Sequence, residues 1–220
     1  MGASLSISSP GQAAGSLLLL SGGIESATLL AREAAERPVT PLVVDYGQRA
    51  ARQEARAADR LCAHHGLEPV HLDLSAAGET FRDGLEKRPH VPLPHRNLVM
   101  LALAVSYAGR GGIGRVALAL NREDTDAYPS ASPPFLEAFA ALVDTLQPGL
   151  EVATPLIDLD KAGVIRLGHE LGVTFAETWS CLLGHERHCG ACPQCRHRRA
   201  AFRAAGIEDP TLYRHPPRGT

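Results

Sequence analysis

Apolar positions along this chain alternate between short continuous runs and longer stretches in which they recur every three or four residues. The short runs predict strands at 16–20, 40–45, 69–72 and 115–120, with a brief one at 152–154. The longer stretches predict helices at 25–36, 49–65, 97–109, 135–146 and 160–171. In the second of these, Ala51, Ala55, Ala58, Leu61, Cys62 and His65 share one face. The third is almost wholly apolar, which predicts burial on most sides. Pro133 and Pro134 mark a helix start, Pro148 a stop, and Gly172 a C-terminal cap. Strands alternating with helices specify an α/β fold, a parallel five-stranded sheet with helices on both faces.

In open sheets of this kind ligands bind beyond the carboxyl ends of the strands, so the residues just past each strand carry the chemistry. After the first strand comes Leu20-Ser21-Gly22-Gly23-Ile24-Glu25-Ser26, leading into Ala27, Thr28, Leu29 and Leu30. A buried strand that turns through glycines into a helix leaves backbone N–H groups free at the positive end of the helix dipole, which suits a phosphate. The alternative is a plain strand-to-helix turn. The segment lacks the Gly-Lys-Ser/Thr ending of the Walker loop and the spacing of the dinucleotide fingerprint. After the second strand stand Asp45, Tyr46, Gly47, Gln48 and Arg49; after the fourth, residues 121–129; after the fifth, residues 155–160, with Lys161 opening a helix. Residues 74–96 are proline- and charge-rich without periodicity, a binding loop, a lid or a disordered stretch.

A chain of 220 residues with 45% hydrophobic residues builds one ample core plus a small appendage. The expected divisions are a leader at 1–15, the α/β domain at 16–175, a cysteine-bearing segment with a helix at 176–206, and a tail at 207–220. A net charge of −2 argues against a general nucleic-acid binder, which needs a broad basic surface. Arg196, His197, Arg198, Arg199 and Arg203 are the local exception, read as a solvated helix face or an anion contact. No stretch is long enough to cross a membrane. The first fifteen residues lack the charged start of a signal peptide, so a cytoplasmic location is expected.

Cys181, Cys189, Cys192 and Cys195 fall within one short segment, with two-residue gaps between the last three. Four thiolates so spaced close tetrahedrally around zinc and leave no open position, which makes the site structural. The run lacks the fourth position of a ferredoxin iron–sulfur motif. His185 and His188, inside the long gap, are read as solvated, and Cys62 as core.

From Leu17 to Phe202 the chain resembles the 7-cyano-7-deazaguanine synthase family of the ATP pyrophosphatase superfamily, whose members share an adenine nucleotide α-hydrolase-like fold. The residues that carry the resemblance are Ser21-Gly-Gly-x-x-Ser26, Asp45-Tyr-Gly-Gln-Arg49, Pro94-x-Arg96-Asn97, Tyr128-Pro129, Thr154-Pro-Leu156 with Asp160-Lys161, Glu177-Thr178, and the four cysteines. The resemblance implies an ATP- and Mg²⁺-dependent ligase that adenylates 7-carboxy-7-deazaguanine, lets ammonia displace AMP, and dehydrates the amide to the nitrile.

It assigns ATP to residues 20–30 with Asp45, Tyr46, Gln48 and Arg49. Catalysis falls to Ser21, Glu25, Ser26, Arg96 and Lys161, and substrate binding to Arg96, Asn97, Asp126, Tyr128 and Pro129. Structural Zn²⁺ falls to the four cysteines. Glu25 and Asp45 are the candidate Mg²⁺ ligands. Two departures stand out: Glu25 replaces the usual Asp, and Ser130 and Ala131 replace an acid and a cysteine. They leave open a relative that activates another carboxylate or stops at the amide. A tRNA-modifying relative would want an RNA-binding appendage. The apolar helix at 97–109 would tolerate a homodimer interface.

Overall fold

The computed structural model describes residues 15–82 and 93–215. Strands β1 (Gly15–Leu19), β2 (Val39–Asp45), β3 (Val70–Asp73), β4 (Ile113–Leu118) and β5 (Glu151–Ala153) form one parallel sheet in the order β3-β2-β1-β4-β5. The helices are α1 (Ile24–Glu36), α2 (Ala51–His64), α3 (Ser75–Thr80), α4 (Arg96–Ala108), α5 (Arg122–Ala127), α6 (Pro133–Leu146), α7 (Lys161–Glu170) and α8 (Pro193–Ala205). The chain winds outward from β1 to β3, then returns to build β4 on β1's other side. This reversal opens a crevice at the carboxyl ends of β1 and β4.

Alternation along β1 divides the core in two. Leu18 joins Ile24 and Leu29 of α1, Leu61 of α2, Ile165 of α7 and Phe202 of α8 on one face. Leu17 and Leu19 join Leu101 of α4 and Phe139 and Val143 of α6 on the other. Because both faces are covered, β1 reads as an unbroken leucine run instead of an alternating pattern. At the amino edge of the sheet, Glu33 is 1% exposed and lies 3.3 Å from both Arg37 Nε and Arg115 Nη2. Among the described residues no helix is long and apolar enough to cross a membrane.

Three segments differ from expectation. The fourth strand begins and ends two residues early, because the Leu120 N–H turns back to the Leu118 carbonyl at 3.0 Å and leaves the ladder. Residues 122–127, expected as loop, form α5, whose start is set by a reciprocal capping box. Asn121 accepts from the Asp124 N–H and Asp124 from the Asn121 N–H, each at 3.1 Å. Within the long segment after β3, Ser75–Thr80 is helical, started by the Ser75 N–H donating to Asp73 Oδ1 at 2.8 Å. Residues 83–92, the middle of the expected loop, lie outside the described residues, as does the leader up to residue 14.

Arg198, grouped by sequence with a solvated or anion-binding face, is instead wholly buried. Its guanidinium donates to Thr178 Oγ1 (2.7 Å), Ser180 Oγ (3.2 Å) and the Phe175 carbonyl (2.8 Å), and pairs with Asp209 at 3.3 Å. Residues after 206 return to this centre: Tyr213 Oη donates to Asp209 at 2.6 Å, and the Arg214 N–H donates to the His188 carbonyl at 2.8 Å. Removing one partner of a buried ion pair leaves the other charge stranded. Arg198→Ala is therefore expected to cost about 3–5 kcal/mol in urea unfolding, and a loss below about 1 kcal/mol would exclude this role.

Candidate active site

The turn after β1 holds its shape through its own polar groups and through what presses on it. Ser21 Oγ lies 3.2 Å from Ser26 Oγ and accepts from the Gly23 N–H at 3.4 Å, while Ser26 Oγ donates to the Gly23 carbonyl at 3.2 Å. Gly22 has φ +71, and a Cβ there would stand 2.6 Å from the Glu54 carbonyl and 2.9 Å from Ala57 Cβ. Only glycine fits both the conformation and the gap. No side chain caps α1, whose N-cap is Gly23. The positive end of its dipole thus faces the crevice.

Glu25, one residue into α1, is ion-paired with Lys161 and accepts from Asn121 Nδ2 at 3.3 Å. Burial on its own would raise the Glu25 pKa; attraction to the Lys161 ammonium and its hydrogen bond outweigh this and hold the carboxyl below its usual range. Lys161 shows the converse balance, with burial pulling its pKa down and Glu25 lifting it above the ordinary value. Asp124 stands nearby with its pKa raised, chiefly by burial.

The opposite wall comes from the end of β2, from α2 and from the start of α4. The Tyr46 N–H donates to Gln48 Oε1 at 2.8 Å, and the Gln48 amide donates to Glu54 at 2.9 Å and to the Val44 carbonyl at 3.2 Å. Asp45 accepts from the Gly47 N–H at 2.8 Å, so one of its oxygens is committed to the turn. Arg96 donates to Tyr46 Oη at 3.3 Å with its guanidinium 5.9 Å from the ring centroid. Burial raises the pKa of both Tyr46 and Glu54. Asn97 is buried and donates to the Ser130 carbonyl at 3.2 Å, tying α4 to the turn before α6. These walls enclose a cavity of about 960 Å³, room for a nucleotide and a second small ring compound.

The four cysteines form a second centre beside it. All are buried, and their sulfur atoms lie within 4.8 Å of one another, close to the roughly 3.8 Å separation implied by tetrahedral Zn–S bonds. The N–H groups of Cys189, Ala191, Cys192 and Cys195 point at cluster sulfurs from 3.2–3.4 Å, as thiolates require. Hydrogen bonds from Cys195 and from the backbone hold the Cys181 thiol well below its usual range. The set fits a metal ion held by four thiolates. Cys62 lies apart in the main core, its thiol pushed up to about 11 by burial.

Of the residues expected from sequence, Leu20, Ser21, Gly23, Glu25, Ser26, Asp45, Tyr46, Gln48, Arg49, Arg96, Asn97, Tyr128, Pro129 and Lys161 line the cavity. Ile24, Ala27, Leu29 and Leu30 are buried in the core instead, and Thr28 donates to the Val164 carbonyl at 3.4 Å. Asp126 is exposed on α5 and off the cavity wall, which Asp124 occupies. His188, expected in solvent, is buried against Trp179, and burial lowers its pKa to about 4. Sequence reasoning missed Glu54, Trp179 and Gln194. Glu54 had a signal: it falls in helical register with Ala50, Ala57, Ala58 and Leu61, an acid on an otherwise apolar stripe.

A parallel sheet with a glycine turn at the uncapped start of α1, opening on a large cavity, is common to α/β nucleotide-binding folds, and a Ser-Gly-Gly turn with neither a Walker nor a dinucleotide ending is that of the ATP pyrophosphatase loop class. NMN synthetase from Francisella tularensis has the same fold, at a TM-score of 0.53 and 18% identity over 89% of this chain and 79% of that one. The model of the queuosine biosynthesis protein QueC family matches residues 15–206, and the chain belongs to that family. It is 37% identical to the 7-cyano-7-deazaguanine synthase of Methanothermobacter thermautotrophicus, over 89% of this chain and 97% of that one. It is 35% identical to that of Rhizobium johnstonii, over 90% and 91%.

The balance at Glu25 has a measurable consequence. In Lys161→Met the attraction is gone and burial remains, so the Glu25 carboxyl should titrate above its ordinary range instead of below it, as read by ¹³C carboxyl NMR. An unchanged low value would show that Lys161 does not set it.

Proposed function

We propose that the chain converts 7-carboxy-7-deazaguanine, ammonia and ATP to 7-cyano-7-deazaguanine. The observation that carries this reading is the uncapped start of α1 with Ser21, Ser26 and Lys161 gathered on one wall of the cavity. A carboxylate becomes an acylating agent only when one of its oxygens is made a leaving group. Attack of the carboxylate oxygen on the α-phosphorus of ATP forms the acyl-adenylate and releases pyrophosphate. The first-turn N–H groups, Ser21, Ser26 and Lys161 would hold the departing phosphates, and holding and neutralising them is most of what the step asks of a protein.

Ammonia then attacks the acyl carbon and AMP leaves, giving the amide. Attack of the amide oxygen on the α-phosphorus of a second ATP releases pyrophosphate, and loss of AMP and two protons then gives the nitrile. Arg96 offers the substrate carboxylate a planar pair of donors, with Asn97 beside it. Tyr46 and Tyr128 offer faces to the ring systems. Asp124 and Glu54, two of the carboxyls on the wall, could accept from an amidine edge in place of the acid that Ser130 and Ala131 lack. Glu25 and Asp45 would hold Mg²⁺, which shields charge on the phosphates when bound. Zn²⁺ would fill the four-cysteine centre and stabilise its segment.

Purified protein given 7-carboxy-7-deazaguanine, MgATP and ammonia should yield nitrile, AMP and pyrophosphate. Lys161→Met should lower kcat/KM by about 10²–10³-fold, on the scale of losing one preorganised cationic donor. Turnover of ATP to AMP with a different carboxylate, and none with this one, would move the substrate while keeping the reaction. Absence of AMP with every carboxylate tried would sink both.

A further inference from the structure

Trp179 is the chain's single tryptophan and stands between the two centres. Its peptide N–H donates to the Gly22 carbonyl at 2.8 Å. Its indole N–H donates to the carbonyl of Cys181, the first cysteine of the cluster, also at 2.8 Å. Its ring packs on His188 with centroids 4.2 Å apart, and His188 Nε2 accepts from the Ser180 N–H at 3.0 Å. One residue thus joins the metal segment to the phosphate-holding turn.

The Gly22 carbonyl and the Gly23 N–H belong to one planar peptide and point in opposite directions. Holding the carbonyl toward Trp179 therefore aims the Gly23 N–H the other way, toward Ser21 Oγ and the cavity. A second contact lies nearby: Gly184, φ +66, rests so closely on the Arg49 peptide that a Cβ would stand 2.1 Å from the Arg49 carbonyl oxygen. Ala50 and Ala57 of the nucleotide side share a buried cluster with Trp179 and the four cysteines. A segment this short has little core of its own, so four buried thiols are held in place mainly by the ion that joins them.

We propose that Trp179 is a positioning residue linking metal occupancy of the four-cysteine centre to the orientation of the peptide between Gly22 and Gly23, so that metal and nucleotide strengthen each other's binding. This rests on the reading of the cavity as a nucleotide site. Linkage of this kind is reciprocal: the factor by which metal tightens nucleotide binding is the factor by which nucleotide tightens metal binding.

The test uses the full chain loaded with Zn²⁺. MgATP affinity is measured by calorimetry, before and after the zinc is stripped, with far-UV circular dichroism to establish that the stripped chain stays folded. Zinc affinity is measured by competition with a chromophoric chelator, with and without saturating MgATP. Both affinities should change by the same factor, about tenfold, and in Trp179→Phe, which keeps the peptide N–H but loses the indole tether to Cys181, the shared factor should fall below about twofold. Zinc affinity indifferent to MgATP, a folded stripped chain with unchanged MgATP affinity, or an undiminished factor in Trp179→Phe would overturn the linkage alone. A zinc-loaded chain that binds no MgATP would overturn the reading of the cavity and the linkage with it.

Discussion

The uncapped start of α1 is the constraint around which the rest is arranged. A helix end in a buried setting needs partners for its N–H groups, and here the chain supplies no side-chain cap. The deficit is kept open instead of filled: Gly22 is wedged against α2, Trp179 grips the Gly22 carbonyl, and Ser21 and Ser26 lean on each other across the turn. Two elements from distant parts of the chain, α2 and the segment at Trp179, thus hold the turn from outside while its own serines hold it from within. The serines and the glycines shape the turn, and Lys161, arriving from α7, pairs with Glu25 at its edge.

Much of this was legible in the chain because the signals were local. A leucine run closed by Ser-Gly-Gly, polar residues clustered past each strand, and cysteines at two-residue gaps each follow from short-range geometry. What escaped were features that depend on packing between segments far apart in sequence. Arg198 looked like part of a solvated basic face because its neighbours are basic, yet its partners come from residues 175–180 and from Asp209. His188 and Trp179 carry no local mark of their mutual contact. Glu54 was readable in principle, as an acid in register with buried alanines, and Asp124 displaced Asp126 because a capping box turned a presumed loop into α5. Burial likewise separates the first turn of α1 from the rest, since Ala27, Leu29 and Leu30 are core residues adjoining the site by sequence alone.

The substitution at residue 25 gains meaning from its partners. A glutamate there reaches both Lys161 and Asn121, and so links α1, the start of α5 and the start of α7 across the crevice between β1 and β4. With one methylene fewer, an aspartate would reach less far. The longer side chain is thus bound up with how three separate elements meet, in addition to whatever ion or phosphate it faces.

At the other edge of the sheet, Glu33 lies between Arg37 and Arg115, a buried acid whose counter-charges are both supplied by the protein. The two ends of the same helix therefore treat charge in opposite ways. At its carboxyl end the counter-charges of Glu33 come from Arg37 and Arg115 within the fold; at its amino end no side chain caps the first-turn N–H groups. Ile24 and Glu33 stand only about 14 Å apart along the axis, so one short helix carries both an acid flanked by the protein's own cations and an end that no side chain completes.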